Sequence, residues 1–387
     1  MSKPRINPTL IAQKARHYQR TALMLQGGGA LGAYQVGVYQ ALSEAQCEPA
    51  WVCGVSIGAI NGAIIAGNAP HERLGKLEAF WALVAGRAVW PFEQSANGMR
   101  EWTNLASAWM TLAMGQPGFF RPRMINPWLL PADASGATSF YDSSELRRTL
   151  LEVIDFDRLN SGEVRLSVGA VNVRTGNNVF FDTAKETLGP EHIMASGALP
   201  PALPMIEING EHYWDGGIVS NTPLQYLLDE DDDQSSLVFQ VDLFSARGAV
   251  PRQMSQVMSR HKDIIYSSRT RQATTGFKRV LSLRRQLADA LRRVPLAKLK
   301  PGEASLLKDY SDAGVINLVQ LIYQSKRPVA DSRDYEFSRT SLDMHRDAGY
   351  ADTIATLAHP DWLDPPSAEV GLCEHDIHRP QAKPPTR

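Results

Sequence analysis

Cysteine is scarce in this chain of 387 residues: Cys47, Cys53 and Cys373 are the only three, and none stands in a CxxC pair or a Cys/His spacing. A disulfide framework and a thiolate zinc site are thereby excluded on spacing, and reduced thiols in a cytoplasmic setting are expected. Long apolar runs are missing too. None approaches the roughly 18 residues that a membrane-spanning helix needs, and Met1–Arg20 carries Lys3, Arg5, Lys14, Arg16 and Arg20 without the uninterrupted apolar core of a signal peptide. Charge of one sign is also lacking. Lys and Arg total 40 against 41 Asp and Glu, a formal net charge of −1, so the global field favours neither nucleic acid nor a membrane, and no nucleic-acid partner is expected. There is no internal repeat. What remains is ordinary globular composition, 43% hydrophobic and 21% charged, long enough for one large domain with additions.

Glycine is not scarce, and its placement is informative. Gly27-Gly28-Gly29-Ala30-Leu31-Gly32 follows the apolar run Thr21–Gln26, which reads as a buried parallel strand. From Ala30 to Ala45 the residues Leu31, Tyr34, Val38 and Leu42 recur at helical spacing. Trp51–Val55 reads as a second strand and Ile57–Ala66, apolar all round, as a buried helix. Between them lies Gly54-Val55-Ser56-Ile57-Gly58. Strand, turn, helix, repeated, is the grammar of an α/β sheet.

Ser56 has glycines two residues away on either side, as a sharp strand-to-helix corner requires if its central side chain is to stand clear of the backbone. Taken alone, the pattern serves equally as a helix N-cap. The first turn also fits a dinucleotide-binding fingerprint, Gly27-x-Gly29-x-x-Gly32, but that use needs an acid about twenty residues on, at the end of the second strand. Ser56 stands there instead. A base for it is available downstream in Asp215-Gly216-Gly217, delivered by a hairpin of Ile206–Ile208 and Glu211–Trp214 around Asn209-Gly210. Asn61, one turn past Ser56, reads as a helix-packing residue.

Elsewhere, Val164–Val173 and Asn178–Asp182 form a strand pair around Thr175-Gly176-Asn177, and Leu237–Leu243 and Val315–Tyr323 read as further strands. Five of the eight tryptophans (Trp81, Trp90, Trp102, Trp109 and Trp128) fall between Phe80 and Trp128. That stretch reads as helical, either a cap over an acyl pocket or a core layer, and large aromatics favour core. Asp229–Asp233 lacks calcium-loop spacing and reads as a solvated loop. Between Pro251 and Lys300 thirteen Lys or Arg stand against Asp263 and Asp289. Val280, Leu283, Leu287, Leu291 and Val294 share a helical face there, suiting either a lipid surface or packing on the sheet domain.

These motifs resemble those of the patatin-like phospholipases: a GGGxxG loop at Gly27–Gly32, a GxSxG serine at Gly54–Gly58, and a DGG aspartate at Asp215–Gly217. Ala195-Ser196-Gly197-Ala198-Leu199-Pro200-Pro201 is similar to that family's ASxAxP segment. The resemblance covers residues 20–245, and residues 250–360 look like an extension carried by a bacterial subgroup. It implies a three-layer α/β/α fold with a mostly parallel sheet. The expected organisation is an N-terminal segment (1–20), a catalytic domain (21–250) with a helical cap insertion (75–145), a basic helical extension (251–364) and a disordered tail (365–387).

By the same resemblance Ser56 is a nucleophile and Asp215 its partner in a dyad without histidine, acting on a lipid or other acyl ester with no metal or organic cofactor. Gly28 and Gly29 would give oxyanion N–H groups, with Gly27, Ala30 and Ile57 beside them. Gly54, Gly58, Gly216 and Gly217 would shape the turns. Of the histidines after Asp215, only His345 has neighbours, Arg346 and Tyr350, that could bring it to a cleft. Two other readings stay open at this point: an esterase or depolymerase for a neutral lipid or storage polyester, and a non-catalytic lipid-binding scaffold. Contact with a membrane or lipid granule would be peripheral.

Overall fold

A computed structural model describes residues 6–85, 114–134, 136–230, 234–295, 298–300, 302–303, 314–324 and 334–378. The chain opens with helix α1 (Pro8–Ala15), strand β1 (Arg20–Leu25), α2 (Ala33–Glu44), β2 (Trp51–Val55), α3 (Ile57–Ala66) and α4 (Arg73–Val84). It continues with β3 (Arg121–Pro122), β4 (Tyr141–Asp142), α5 (Ser144–Val153), α6 (Phe156–Leu159), β5 (Arg165–Asn172), β6 (Asn178–Asp182) and α7 (Pro190–Ser196). Then come β7 (Ile206–Ile208), β8 (Glu211–Asp215), α8 (Leu224–Asp229), β9 (Ser236–Asp242), α9 (Met254–Tyr266) and α10 (Thr270–Arg292). Strand β10 (Ile316–Ile322), α11 (Arg339–Leu357) and β11 (Leu372–Asp376) complete it.

A nine-stranded sheet runs in the order β11-β10-β9-β1-β2-β5-β8-β7, with β6 also on β5. From β11 to β5 neighbours are parallel, while β6, β8 and β7 pair antiparallel. Alternation along β1 assigns the faces. Leu23 and Leu25 pack with residues of α2, α3, α4, α7 and α11, whereas Ala22 and Met24 pack with Leu224, Leu227 and Leu228 of α8 and Ala273 and Phe277 of α10. This is the expected three-layer α/β/α arrangement, and all ten residues of α3 are buried within it.

Three regions differ from expectation. Residues 86–113, the middle of the expected helical cap with Trp90, Trp102 and Trp109, lie outside the described residues. The described remainder is not helical between 115 and 143: it is a two-stranded ribbon, β3 with β4, and a single 3-10 turn at Pro127–Leu129. Trp81 of α4 is buried, its indole N–H donating to Asn61 Oδ1 at 3.0 Å, while Trp128 is exposed.

The extension is not purely helical and the tail is not wholly disordered. Strand β10 joins the parallel edge, and β11, taken from the expected tail, pairs alongside it from Ile316↔Leu372 to Gln320↔Asp376. In α10, Leu281 and Ala288 are buried and Phe277 packs on α8's cluster, while Val280, Leu283 and Leu287 are exposed. Periodicity found an apolar stripe, but the helix packs through a neighbouring one.

The extension is fastened by a close helix crossing. A Cβ on Gly37 of α2 would lie 1.9 Å from the Arg346 carbonyl oxygen, and one on Gly349 of α11 would lie 2.0 Å from that of Tyr34. Only hydrogen at both positions permits this approach. Polar contacts flank it: Tyr34 Oη donates to Asp352 at 3.0 Å and Tyr350 Oη to Glu44 at 2.7 Å. Gly37→Ala should therefore destabilise by about 1–3 kcal/mol through overpacking. Gly75→Ala in α4, where nothing lies within 4 Å, should stabilise by about 0.5–1 kcal/mol. Urea midpoints of the two variants should move in opposite directions.

Candidate active site

Ser56 sits where β2 turns into α3, with φ 55° and ψ −125°. A non-glycine residue there is strained by about 1–3 kcal/mol, so the surroundings must hold it. Gly54 and Gly58 make the corner tight: a Cβ on Gly54 would lie 2.3 Å from the Gly58 carbonyl oxygen, and one on Gly58 would lie 2.3 Å from that of Leu25. Ser196 fixes the corner from the other side. Its hydroxyl accepts from Ser56 N–H at 2.9 Å and donates to the Gly169 carbonyl at 2.6 Å. The first turn of α3 directs its partial positive charge at Ser56.

Asp215 ends β8, almost fully buried, and its N–H donates to the Ala198 carbonyl at 3.0 Å. The Ala195–Pro201 segment thus touches both sides of the site, Ser196 holding the serine corner and Ala198 the aspartate strand. The Asp215 carboxylate accepts from Gly217 N–H at 2.7 Å, and the Ser56 hydroxyl lies near it. Burial pushes its pKa up to about 6, and the Ser56 hydroxyl and Gly217 N–H only partly oppose that.

Gly27, Gly28, Gly29, Ser56, Ile57, Asp215 and Gly217 all border one cavity of about 150 Å³. Its walls are largely apolar, with Phe119, Phe120, Leu199, Leu203, Phe244 and Phe337 among them. Gly54, Gly58 and Gly216 lie beneath it as turn residues. The N–H groups on either side of Gly28 and Gly29 are engaged: Gly27 N–H bonds the Asn221 carbonyl at 3.3 Å and Ala30 N–H the Asp334 carbonyl at 2.9 Å. Ala30 is fully buried. Gly28 and Gly29 make no N–H hydrogen bond to the described residues and face the cavity.

No histidine lines this cavity among the described residues. His345 is buried on α11, edge-on to the Tyr323 ring at 5.2 Å. Among the described residues no group of three or more His, Cys, Asp or Glu could hold a metal, and no helix is long and apolar enough to cross a membrane.

Several site residues escaped the sequence reading. Asn221 Nδ2 donates to the carbonyls of Gly27 and Tyr266, both at 3.1 Å, tying the glycine loop to the end of α9. Buried Gln26 donates to the same Tyr266 carbonyl at 2.9 Å and accepts from Leu243 N–H at 2.6 Å. Lys262, Tyr266, Asp334, Tyr335 and Phe337, all from the extension, also line the cavity. Nothing local in the sequence marks them, because their partners lie far away in the chain.

A family model described as patatin-like phospholipase matches residues 23–228, and a second, described as patatin phospholipase, matches residues 264–369. The chain belongs to the patatin-like phospholipase family. It is similar to the triacylglycerol lipase SDP1L of Arabidopsis thaliana, 36% identical over 69 residues, which are 18% of this chain and only 9% of that protein's length. Among solved structures, VipD from Legionella pneumophila aligns with a TM-score of 0.37 at 16% identity, over 88% of this chain and 67% of that one.

The raised pKa of Asp215 has a sign that can be checked. The folded protein keeps a proton that the unfolded chain gives up near pH 4, so stability falls as pH rises from about 4 to about 6, and the cost persists above that. Asp215→Asn removes the ionisation. It should match the wild type near pH 4 and exceed it by about 2–3 kcal/mol at pH 8, read by denaturant titration at both. A less stable variant at pH 8 would contradict this assignment of the buried charge.

Proposed function

We propose that the protein is a serine acyl-ester hydrolase of the lipid acyl hydrolase type, working through a Ser56–Asp215 dyad. One observation supports the reading: Ser56 at a strained corner and the buried Asp215 carboxylate border the same largely apolar cavity, beside Gly28 and Gly29, whose N–H groups make no hydrogen bond to the described residues. Membership of the patatin-like phospholipase family supports it.

Ser56 Oγ attacks the acyl carbonyl while its proton passes to Asp215. The tetrahedral oxyanion takes hydrogen bonds from Gly28 and Gly29 N–H, and Ile57 N–H at the start of α3 adds a third. Asp215 then returns its proton to the departing alkoxide, leaving an acyl-serine. Water, deprotonated by Asp215, releases the acid and restores the hydroxyl. No imidazole is needed, since the carboxylate reaches the serine directly and desolvation has raised its basicity toward the working pH.

The cavity also speaks to the acyl group. A volume of about 150 Å³ is comparable to an engineered apolar cavity that admits benzene. Among the described residues the cavity has room for a short acyl segment.

A fluorophosphonate probe should label wild-type protein and spare Ser56→Ala. Asp215→Asn should lower kcat by about 10²–10⁴-fold. The wild-type kcat/KM should rise through pH about 6 and then level, as expected for a base that acts ionised. A panel of phospholipids, triglycerides, short aryl esters and polyester granules assigns the substrate. Labelling that persists in Ser56→Ala would overturn the dyad, and activity confined to esters other than phospholipids would remove the phospholipase assignment alone.

A further inference from the structure

The glycine loop is pinned at two points. At its start, Asn221 both accepts from Gly27 N–H at 3.3 Å and donates to the Gly27 carbonyl at 3.1 Å. At its end, Ala30 N–H is held by the Asp334 carbonyl at 2.9 Å. Between these pins lie Gly28 and Gly29, the pair whose N–H groups stay open to the cavity. The second pin comes from the extension, more than three hundred residues along the chain from the loop it holds.

The Asp334 backbone is itself secured by its side chain. Lys262 Nζ donates to both carboxylate oxygens, at 2.9 and 3.2 Å, with the two side chains only 20% and 11% exposed, and lies 5.0 Å from the centre of the adjacent Tyr335 ring. Lys262 is one turn before Tyr266 on α9, hence on the same face. The Tyr266 carbonyl accepts from Gln26 at 2.9 Å and Asn221 at 3.1 Å. The end of α9 therefore reaches the glycine loop at both ends: through Tyr266 and Asn221 at Gly27, and through the Lys262–Asp334 pair at Ala30. Fit is close there too. Gly29 has φ 55°, and a Cβ on it would lie 2.3 Å from the Asp334 carbonyl oxygen.

We propose that Asp334, clamped by Lys262, is a positioning residue that holds the glycine loop with the Gly28 and Gly29 N–H groups aimed at the oxyanion. This rests on the serine hydrolase reading for its catalytic consequence, while the clamp itself is a statement about the loop. Releasing it lets Ala30 swing and misaligns donors that contribute mainly in the transition state, so the loss falls on kcat. Substrate binding in the apolar cavity is nearly unaffected.

The experiment compares full-length wild type, Lys262→Met, Lys262→Arg and Asp334→Asn, with Lys278→Met, which breaks a surface pair to Glu374, as a control. Lys262→Met and Asp334→Asn should lower kcat by about 10–100-fold with KM within about threefold. They should weaken binding of a trifluoromethyl ketone analogue in the same proportion. Lys262→Arg should recover most of the activity, and Lys278→Met should match wild type. Amide hydrogen exchange across residues 27–31 should quicken in Lys262→Met and Asp334→Asn and stay at the wild-type rate in Lys262→Arg. Unchanged exchange in both weakened variants, a loss confined to KM, or wild-type kcat in Lys262→Met would each overturn the clamp. If wild-type Ser56 fails to react with a fluorophosphonate, the hydrolase reading falls and exchange at Ala30 still decides the clamp.

Discussion

The structure of the site depends on one constraint, the backbone of Ser56 held at positive φ between β2 and α3. An L-residue does not rest there unaided. Three contacts hold it: the glycine-to-glycine approach beneath, the Ser196 hydroxyl on its N–H, and the fully buried α3 that cannot shift without disturbing the central layer. The same Ser196–Ala198 segment ties down the start of the Asp215 turn. Ser56 and Asp215 are thus indexed to each other by a third piece of chain, which fixes their relative placement through the backbone.

Electrostatics alone would not have located this site. Asp242, at the end of β9, is also buried and also raised to about 6, with Ser268 and Gln240 donating to it at 2.8 and 2.7 Å. It does not line the cavity, and its hydroxyl partner Ser268 is not at a strained strand-to-helix corner. What distinguishes Asp215 is geometry: a buried carboxylate at the cavity beside Ser56, whose backbone is strained, with unengaged N–H groups nearby.

The legible parts of the chain were those in which cause and consequence are close in sequence. Gly54-x-Ser56-x-Gly58 specifies its own corner, β1 and β2 follow from apolar runs of about six residues, and Asp215-Gly216-Gly217 marks the end of a hairpin. Illegible parts depended on distant partners. That the Ala30 N–H is taken by Asp334 could not be read locally, because Asp334 is far downstream. The strand β11 looked like tail because five residues, Leu372–Asp376, carry little pattern until β10 supplies the adjoining edge. In α10 the exposed stripe is as apolar as the buried one, so periodicity could not choose between them.

That last class of error points to how the molecule is organised. Composition suggested a boundary near Pro251, and the basic helices do begin there, yet the extension is attached at several points to elements next to the site, as well as to α1, where Lys14 pairs with Asp364, and to α8. β10 pairs with β9, whose end feeds the Leu243 and Phe244 amides that Gln26 holds. Helix α11 crosses α2, which continues directly from the glycine loop. Helix α9 has no fully buried residue of its own; it is seated by the Tyr266 ring beside Phe244, by the Tyr266 carbonyl to Gln26 and Asn221, by Arg260 to the Ser245 and Ala246 carbonyls, and through Lys262 to Asp334. A helix placed in this way gains little from hydrophobic burial, and its seating is sensitive to a few hydrogen bonds. The cavity therefore joins two regions of unequal rigidity: a serine corner and aspartate turn built into the packed sheet, and an extension wall whose alignment is set by polar contacts at the glycine loop itself.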